Sequence, residues 1–423
     1  MRANAVVKTR RADLEGPSHL QQQSAHAGTS HLPTTILHID TERGWRGGER
    51  QVLWLVKCLI KTGNNCIIAA RPGSPLALRA RELGLRVIPC SPFSELDPFA
   101  AAKLRKFIKR EGVQIVHAHT AHAAAIAMMC AGKAQTVITR RVDFRVGRGW
   151  FSQRKYRHAA AVIAISDAVS KVLIESGVDA DKIEIIPSGI DLRRPVPRAD
   201  RRVLQLLGIP ETAPLVVMVA MLVPHKDPLT FIRAMKDVCA EVPDAHALIV
   251  GEGPMRGDVE QLISELGLDA QVHLAGFRSD AESILAAADV AALSSREEGL
   301  GSVLIDALWM EKPIAATRAG GIPEIVQHGS SGLLAPVGND SALGAAISRL
   351  LTDGALRTRI AAAGRARAEM FSVDETAART ARVYDRVLEE ARQRATSENA
   401  RRAGPGARRL PSWRERGFAE RKA

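Results

Sequence analysis

Apolar residues fall along this chain in two alternating rhythms, short continuous runs followed by stretches in which they recur every three or four positions. The first run, Thr35-Ile36-Leu37-His38-Ile39, reads as a buried strand, and Val52, Leu53, Val56, Leu59 and Ile60 then repeat at helical spacing. Six further runs follow the same alternation: Cys66–Ala70, Arg86–Pro89, Gln114–His119, Thr136–Thr139, Ala161–Ile165 and Lys182–Ile186. Arg193 to Asp200, with Pro195 and Pro197, reads as a linker. A second series comprises Leu215–Ala220, Ala247–Gly251, Gln271–Leu274, Val290–Leu293 and Pro313–Ala316, and Val373–Arg394 reads as one long closing helix. Strands alternating with helices predict an α/β protein with mostly parallel, doubly wound sheets. The expected organisation is a disordered tail at 1–33, a first domain at 34–192, a second at 200–372, a helix at 373–395 crossing back to the first domain, and a basic disordered tail at 396–423.

The densest chemistry lies between Ser294 and Glu324. Glu298 and Gly299 occupy the turn after a strand, while Val303, Leu304, Ala307 and Leu308 define the helix that follows and also carries Asp306. The next strand ends in Gly320 and Gly321, after which Pro323 suits the start of another helix. Ligands of open α/β sheets collect at the carboxyl ends of strands, where helix starts present unpaired N–H groups to phosphate. The stretch therefore predicts a site for a phosphorylated sugar.

The order Glu298-Gly299, an acid at 306, then Gly320-Gly321-Ile322-Pro323-Glu324 resembles the signature of the GT-B retaining glycosyltransferases of family 4, in which seven residues separate two acids. Asp306 stands where that family has Glu, one methylene longer. The resemblance covers about residues 34 to 392 and implies two Rossmann-like domains facing a cleft, with sugar transferred from a nucleotide-sugar donor to an acceptor and anomeric configuration retained. It implies a catalytic role for Glu298 and for His119, which ends the strand Ile115-Val116-His117-Ala118-His119. It implies donor contacts by Gly47 and Gly48, Lys226, Gly253, Glu298 to Gly301 (with Leu300), Asp306, Gly320 and Gly321, Asp306 meeting the ribose hydroxyls. Family members place an Arg where this chain has Met221, and Arg256 and Arg318 are the candidates to replace its charge. No cofactor and no metal are expected, because the diphosphate leaving group is met by helix starts and Lys226. The string Asp179-Ala180-Asp181 resembles a metal motif of another glycosyltransferase fold but lies in a polar turn. Two rival readings are a GT-B nucleotide-sugar epimerase or hydrolase and a non-catalytic sugar-nucleotide-binding protein.

Composition narrows the partners. With 423 residues, 46% of them hydrophobic, the chain can bury more than one core. Its 5 cysteines show no metal spacing and read as reduced core residues of a cytoplasmic protein. The net charge of +13 is concentrated: residues 392–423 hold ten Arg or Lys against three acids, and residues 140–157 hold seven against one. The second segment carries Arg140, Arg141, Asp143, Arg148, Trp150, Arg154, Lys155 and Arg157, with Phe151 and Tyr156 interleaved. Cations mixed with aromatics predict a loop that meets an anionic membrane surface and a glycolipid or glycan acceptor on the cytoplasmic face of the inner membrane. No motif suggests nucleic acid.

Overall fold

The computed structural model describes residues 33–403 apart from 148 and 200. The first sheet draws on β1 (Thr35–Ile39), α1 (Gly47–Lys61), β2 (Asn65–Ala70), α2 (Pro75–Glu82), β3 (Val87–Pro89), α3 (Pro98–Arg110), β4 (Ile115–Ala118), α4 (Ala121–Cys130), β5 (Gln135–Arg140), α5 (Trp150–His158), β6 (Ala161–Ala164), α6 (Asp167–Glu175) and β7 (Ile183–Ile185). After α7 (Arg202–Leu206) comes the second: β8 (Leu215–Val219), α8 (Pro228–Glu241), β9 (His246–Val250), α9 (Arg256–Glu265), β10 (Val272–Gly276), α10 (Ala281–Ala287), β11 (Val290–Leu293), α11 (Ser302–Trp309), β12 (Ile314–Thr317), α12 (Ile322–Ile325) and β13 (Leu333–Ala335). Helices α13 (Asp340–Thr352), α14 (Gly354–Ala368) and α15 (Val373–Ala403) close the chain.

Both sheets are parallel, with strand orders 3-2-1-4-5-6-7 and 10-9-8-11-12-13. Each order reverses at one place, between β1 and β4 and between β8 and β11. At such a switch point the connecting helices leave to opposite faces, and a crevice opens at the strands' carboxyl ends. The central strands are buried on both faces, which is why they read as unbroken apolar runs rather than alternating ones.

α15 returns to the first sheet. Val373, Ala377, Val383, Tyr384 and Val387 are buried in one cluster with Val52, Val56 and Leu59 of α1. Filling that groove with a side chain the size of Tyr384 or Val387 is worth about 1.5–3 kcal/mol each. At the crossing, Ile190 N–H donates to Phe371 O at 2.8 Å and Val373 N–H to Ile190 O at 2.9 Å. Gly189 permits it, since a Cβ there would lie 2.4 Å from the Ser372 backbone.

Several expectations change. The second half of the supposed basic loop is helix α5, with Tyr156 and Lys155 buried beneath it. α15 runs through Ala403, so residues 396–403 are helical and not part of a disordered tail; the remaining tail residues, 1–32 and 404–423, lie outside the described residues, as does Arg148. Asp306 sits one turn into α11. The Asp179 carboxylate accepts from the Asp181 N–H at 3.1 Å, a local turn bond as expected. No helix among the described residues is long and apolar enough to cross a membrane.

Candidate active site

The two switch-point crevices face one another. At the second, β11 runs into buried Ser294 and Ser295, and the Ser294 hydroxyl donates to the carbonyls of Lys226 and Asp227 at 3.1 and 2.8 Å. That bond ties the turn after β8 to the turn after β11. Glu298 is consequently held in place: its carboxylate pairs with the Lys226 ammonium and accepts from the Ser295 hydroxyl at 3.1 Å. Leu300 is buried behind the pair, and Gly301, at φ +84°, precedes the first turn of α11. Gly253 packs its backbone on Leu222, whose carbonyl oxygen would be 2.2 Å from a Cβ.

Loops from the first sheet close directly on these turns. A Cβ on Gly299 would lie 2.2 Å from the Arg141 carbonyl oxygen, and one on Gly320 would lie 2.0 Å from the Glu298 carbonyl oxygen and 2.8 Å from Asp143 Oδ2. Both glycines are therefore demanded by the closeness of the chains, and Gly320 also by its φ of +46°. The Asp143 carboxyl accepts a backbone hydrogen bond from Glu298, and burial raises its pKa above the ordinary value. Gly321 N–H donates to Glu298 O at 2.8 Å. Ser166 Oγ, at the start of α6, donates to Gly299 O at 2.5 Å, while Glu324 accepts from the N–H groups of Asp167 and Ala168 at 2.9 and 3.1 Å. A carboxylate from one half thus caps a helix of the other, where the helix dipole favours negative charge.

On the first-sheet side, His119 is 3% exposed and belongs to a group of three. His38 Nδ1 and His119 Nε2 share a hydrogen bond at 3.1 Å; His117 Nδ1 meets the Tyr384 hydroxyl and His117 Nε2 the Thr139 hydroxyl, both at 2.6 Å. Burial lowers His38 to about 3 and the other two well below the usual range, so all three rings are neutral at physiological pH. His119 Nδ1 and His38 Nε2 are buried without partners. The trio is also the described grouping with metal-ligand spacing, its ligand atoms lying within 4.8 Å of one another. It fits a metal poorly, because both His117 nitrogens are engaged by hydroxyls and the outer nitrogens of the other two rings lack the supporting partners that ligating histidines have. The glycine loop lies above: Gly47 opens α1, and a Cβ on it would be 3.0 Å from Ser302 Oγ of α11. Gly48 faces the Arg141 side chain.

Asp306 has a different setting from the one its spacing suggests. It is 2% exposed, and its two oxygens accept from Arg50 Nη2 and Arg194 Nη2, both at 2.5 Å. The same arginines bind Glu282 at 2.5 and 2.7 Å. Trp54 and Trp309 cover them, with the Arg50 guanidinium 4.7 Å from the Trp54 ring centre and that of Arg194 4.5 Å from the Trp309 ring centre. Both Asp306 oxygens are therefore already engaged by arginines.

The basic segment divides. Arg141 and Asp143 belong to the cleft. Lys155 is 5% exposed and donates to the Ala121 carbonyl at 3.3 Å, so it supports the start of α4 instead of facing a membrane. Arg140 is tied to the Val142 and Phe144 carbonyls. Trp150, 65% exposed with Arg154 stacked on it at 4.8 Å, and Arg157 remain on the surface. Arg256 is committed to Glu252 and Glu260, and Arg318 is exposed.

Sequence reasoning passed over Arg50, Arg194 and Glu282, whose positions in apparently solvated stretches carry no signal. It also passed over His38, which did carry one: a polar residue inside a buried strand, in register with His117.

Two facing doubly wound sheets, glycine turns at both switch points and a paired glutamate between them define a GT-B glycosyltransferase. Residues 201–367 match the family described as Glycosyl transferases group 1, and residues 45–194 match Glycosyltransferase Family 4. The chain belongs to this family. It is 35% identical over 209 residues to the lipopolysaccharide core biosynthesis glycosyltransferase LpsD of Rhizobium meliloti, a match spanning 49% of this chain and 58% of that protein. It is 26% identical to the N-acetyl-alpha-D-glucosaminyl L-malate synthase of Bacillus anthracis, spanning 79% of this chain and 97% of that one. The match to a second Rhizobium meliloti core glycosyltransferase, LpsE, is 32% identical and spans 37% of this chain and 45% of that protein, so the chain spans about half the length of these core enzymes. The fold is shared with Anabaena HepE, solved in complex with UDP and glucose, at a TM-score of 0.73 and 22% identity, covering 83% of this chain and 99% of that one.

Proposed function

We propose that this glycosyltransferase moves a sugar from a nucleotide-sugar donor to a cell-surface glycolipid or polysaccharide, without a metal and with retention of configuration. The observation that carries the reading is the Glu298–Lys226 pair, held between two glycine turns at the switch point of the second sheet and faced by Asp143 of the first. As the donor's bond breaks, negative charge gathers on the diphosphate and positive character on the sugar. Lys226 and the starts of α1 and α11 favour the first, and the Glu298 carboxylate favours the second. His119, neutral and with Nδ1 free, can bond a sugar hydroxyl without adding a charge of its own. Asp306, held by Arg50 and Arg194, meets the nucleotide only if its buried setting opens. UDP in the HepE complex and the core lipopolysaccharide relatives support the donor and acceptor classes.

Incubation with a panel of UDP-, GDP-, ADP- and CMP-sugars should reveal one donor whose slow hydrolysis EDTA leaves unchanged. Activity that vanishes with chelator and returns with manganese would remove the metal-free mechanism.

For the acceptor side, the surface residues Trp150, Arg154 and Arg157 support a reversible membrane contact. Each cation near an anionic bilayer contributes about 1 kcal/mol, within a Debye length. Changing Arg154 and Arg157 to Ser should lower sedimentation with anionic vesicles roughly tenfold at low salt and leave donor hydrolysis unaltered. Equal sedimentation of variant and parent would take the membrane away from this face.

A further inference from the structure

Arg141 is the cation of the cleft that the site as described leaves without a task. It follows β5, at the carboxyl edge of the first sheet, and its carbonyl touches Gly299 of the second half. From there its side chain runs back toward α1, with Cδ 3.6 Å from where Gly48 would carry a Cβ. Among the described residues the guanidinium makes one hydrogen bond, Nη1 to the Ser188 hydroxyl at 3.0 Å, and Nε is buried with no partner. A hydroxyl cannot neutralise a guanidinium. The nearby acids, Asp40 and Glu49, act on it through their charge but neither is hydrogen-bonded to it among the described residues; burial raises Glu49, and burial together with Glu49 lifts Asp40 to about 7. Burial brings Arg141 itself down only to about 10, so it stays charged at neutral pH.

A half-buried cation with no carboxylate in direct contact is costly unless an anion joins it. The starts of α1 and α11 converge on the same place, Gly47 against Ser302 and Gly48 against Arg141, and each favours negative charge. From the second sheet, Lys226 is already paired with Glu298, and the end of β8 presents the uncharged Met221.

We propose that Arg141 binds the diphosphate of the nucleotide-sugar donor, supplying from the first half of the chain a positive charge that the second half lacks. The inference rests on the nucleotide-sugar reading above. In the transfer step the bond from the sugar's anomeric carbon to the diphosphate oxygen breaks and its electron pair stays on that oxygen. The acceptor hydroxyl oxygen bonds to the anomeric carbon, and its proton passes to the departing diphosphate. Arg141 meets the charge on that leaving group. Because Arg141 and Lys226 come from opposite sheets, both reach the diphosphate only when the two halves are together.

Calorimetric titration with UDP, GDP, ADP, CDP and dTDP identifies the nucleoside diphosphate that binds the parent enzyme, and the matching monophosphate is then titrated alongside it. Arg141→Gln should weaken the diphosphate about tenfold or more, the loss of one charge-assisted contact, and change the monophosphate by less than about threefold. Arg141→Lys keeps a point charge without the planar fork and should fall between the two. If Arg141→Gln does not fold, Arg141→Lys decides: a loss confined to the diphosphate supports the assignment. Diphosphate affinity unchanged in the folded variants, or equal losses for both nucleotides, overturns it and leaves the nucleotide-sugar reading standing. A parent enzyme that binds none of the five fails at the earlier step and sinks that reading instead.

Discussion

Replacing Glu298 by Gln lowers turnover by about 100-fold or more while leaving the fold intact. The two side chains are equal in size, and Gln can still bond the Ser295 hydroxyl, so packing around buried Leu300 survives. What disappears is the negative charge opposite the Lys226 ammonium and beside Asp143. Removing one preorganised polar contact from a transition state commonly costs a factor of ~10²–10³ in kcat. Initial rates with the true donor, together with a circular dichroism melt, separate the catalytic loss from unfolding. Turnover within a few-fold of the parent would remove Glu298 from the chemistry.

Asp306→Ala should destabilise the protein by about 3 kcal/mol. The substitution leaves Arg50 and Arg194 side by side with Glu282 alone to balance them, and breaking a buried ion pair by removing one partner typically costs ~3–5 kcal/mol. The lower end applies because Glu282 is 37% exposed and keeps both arginines as partners. Urea unfolding monitored by tryptophan fluorescence is suited to the test, since Trp54 and Trp309 lie against the arginines. A variant as stable as its parent that has lost only donor affinity would place Asp306 on the nucleotide and not in the bridge.

The alternation of strands and helices was legible because parallel strands buried on both faces must be continuously apolar, and that pattern marks β1, β4, β8 and β11 with little ambiguity. β13 escaped notice because Leu333 to Ala335 lies between Gly332 and Pro336 in a stretch rich in Gly and Ser that reads as a loop. α5 escaped because its arginines, lysine and glycine-rich approach look like a solvated loop until tertiary packing buries Tyr156 and Lys155. The candidate site divides the same way. Glu298, Gly299, Gly320 and Gly321 stand close in sequence to the turns they build, whereas Arg50 and Asp306 are 256 positions apart and share nothing that local pattern could register. Asp306 shows the limit of spacing most clearly: seven intervening residues place it on α11 behind Glu298 but say nothing of the two arginines that hold it.

The return of α15 sets a timetable for synthesis. Tyr384 meets His117 across 267 positions of chain and follows the end of the first sheet at Ile185 by about 200, so at ~5–20 residues per second the ribosome leaves that sheet waiting roughly 10 to 40 s for its last wall. During that interval the groove beside α1, later filled by Val383, Tyr384 and Val387, is open apolar surface. A chain truncated between β8 and α15 keeps that apolar groove uncovered, the kind of surface that promotes aggregation. The two halves cannot be treated as separable modules for expression: a fragment ending at the linker lacks a piece of its own core.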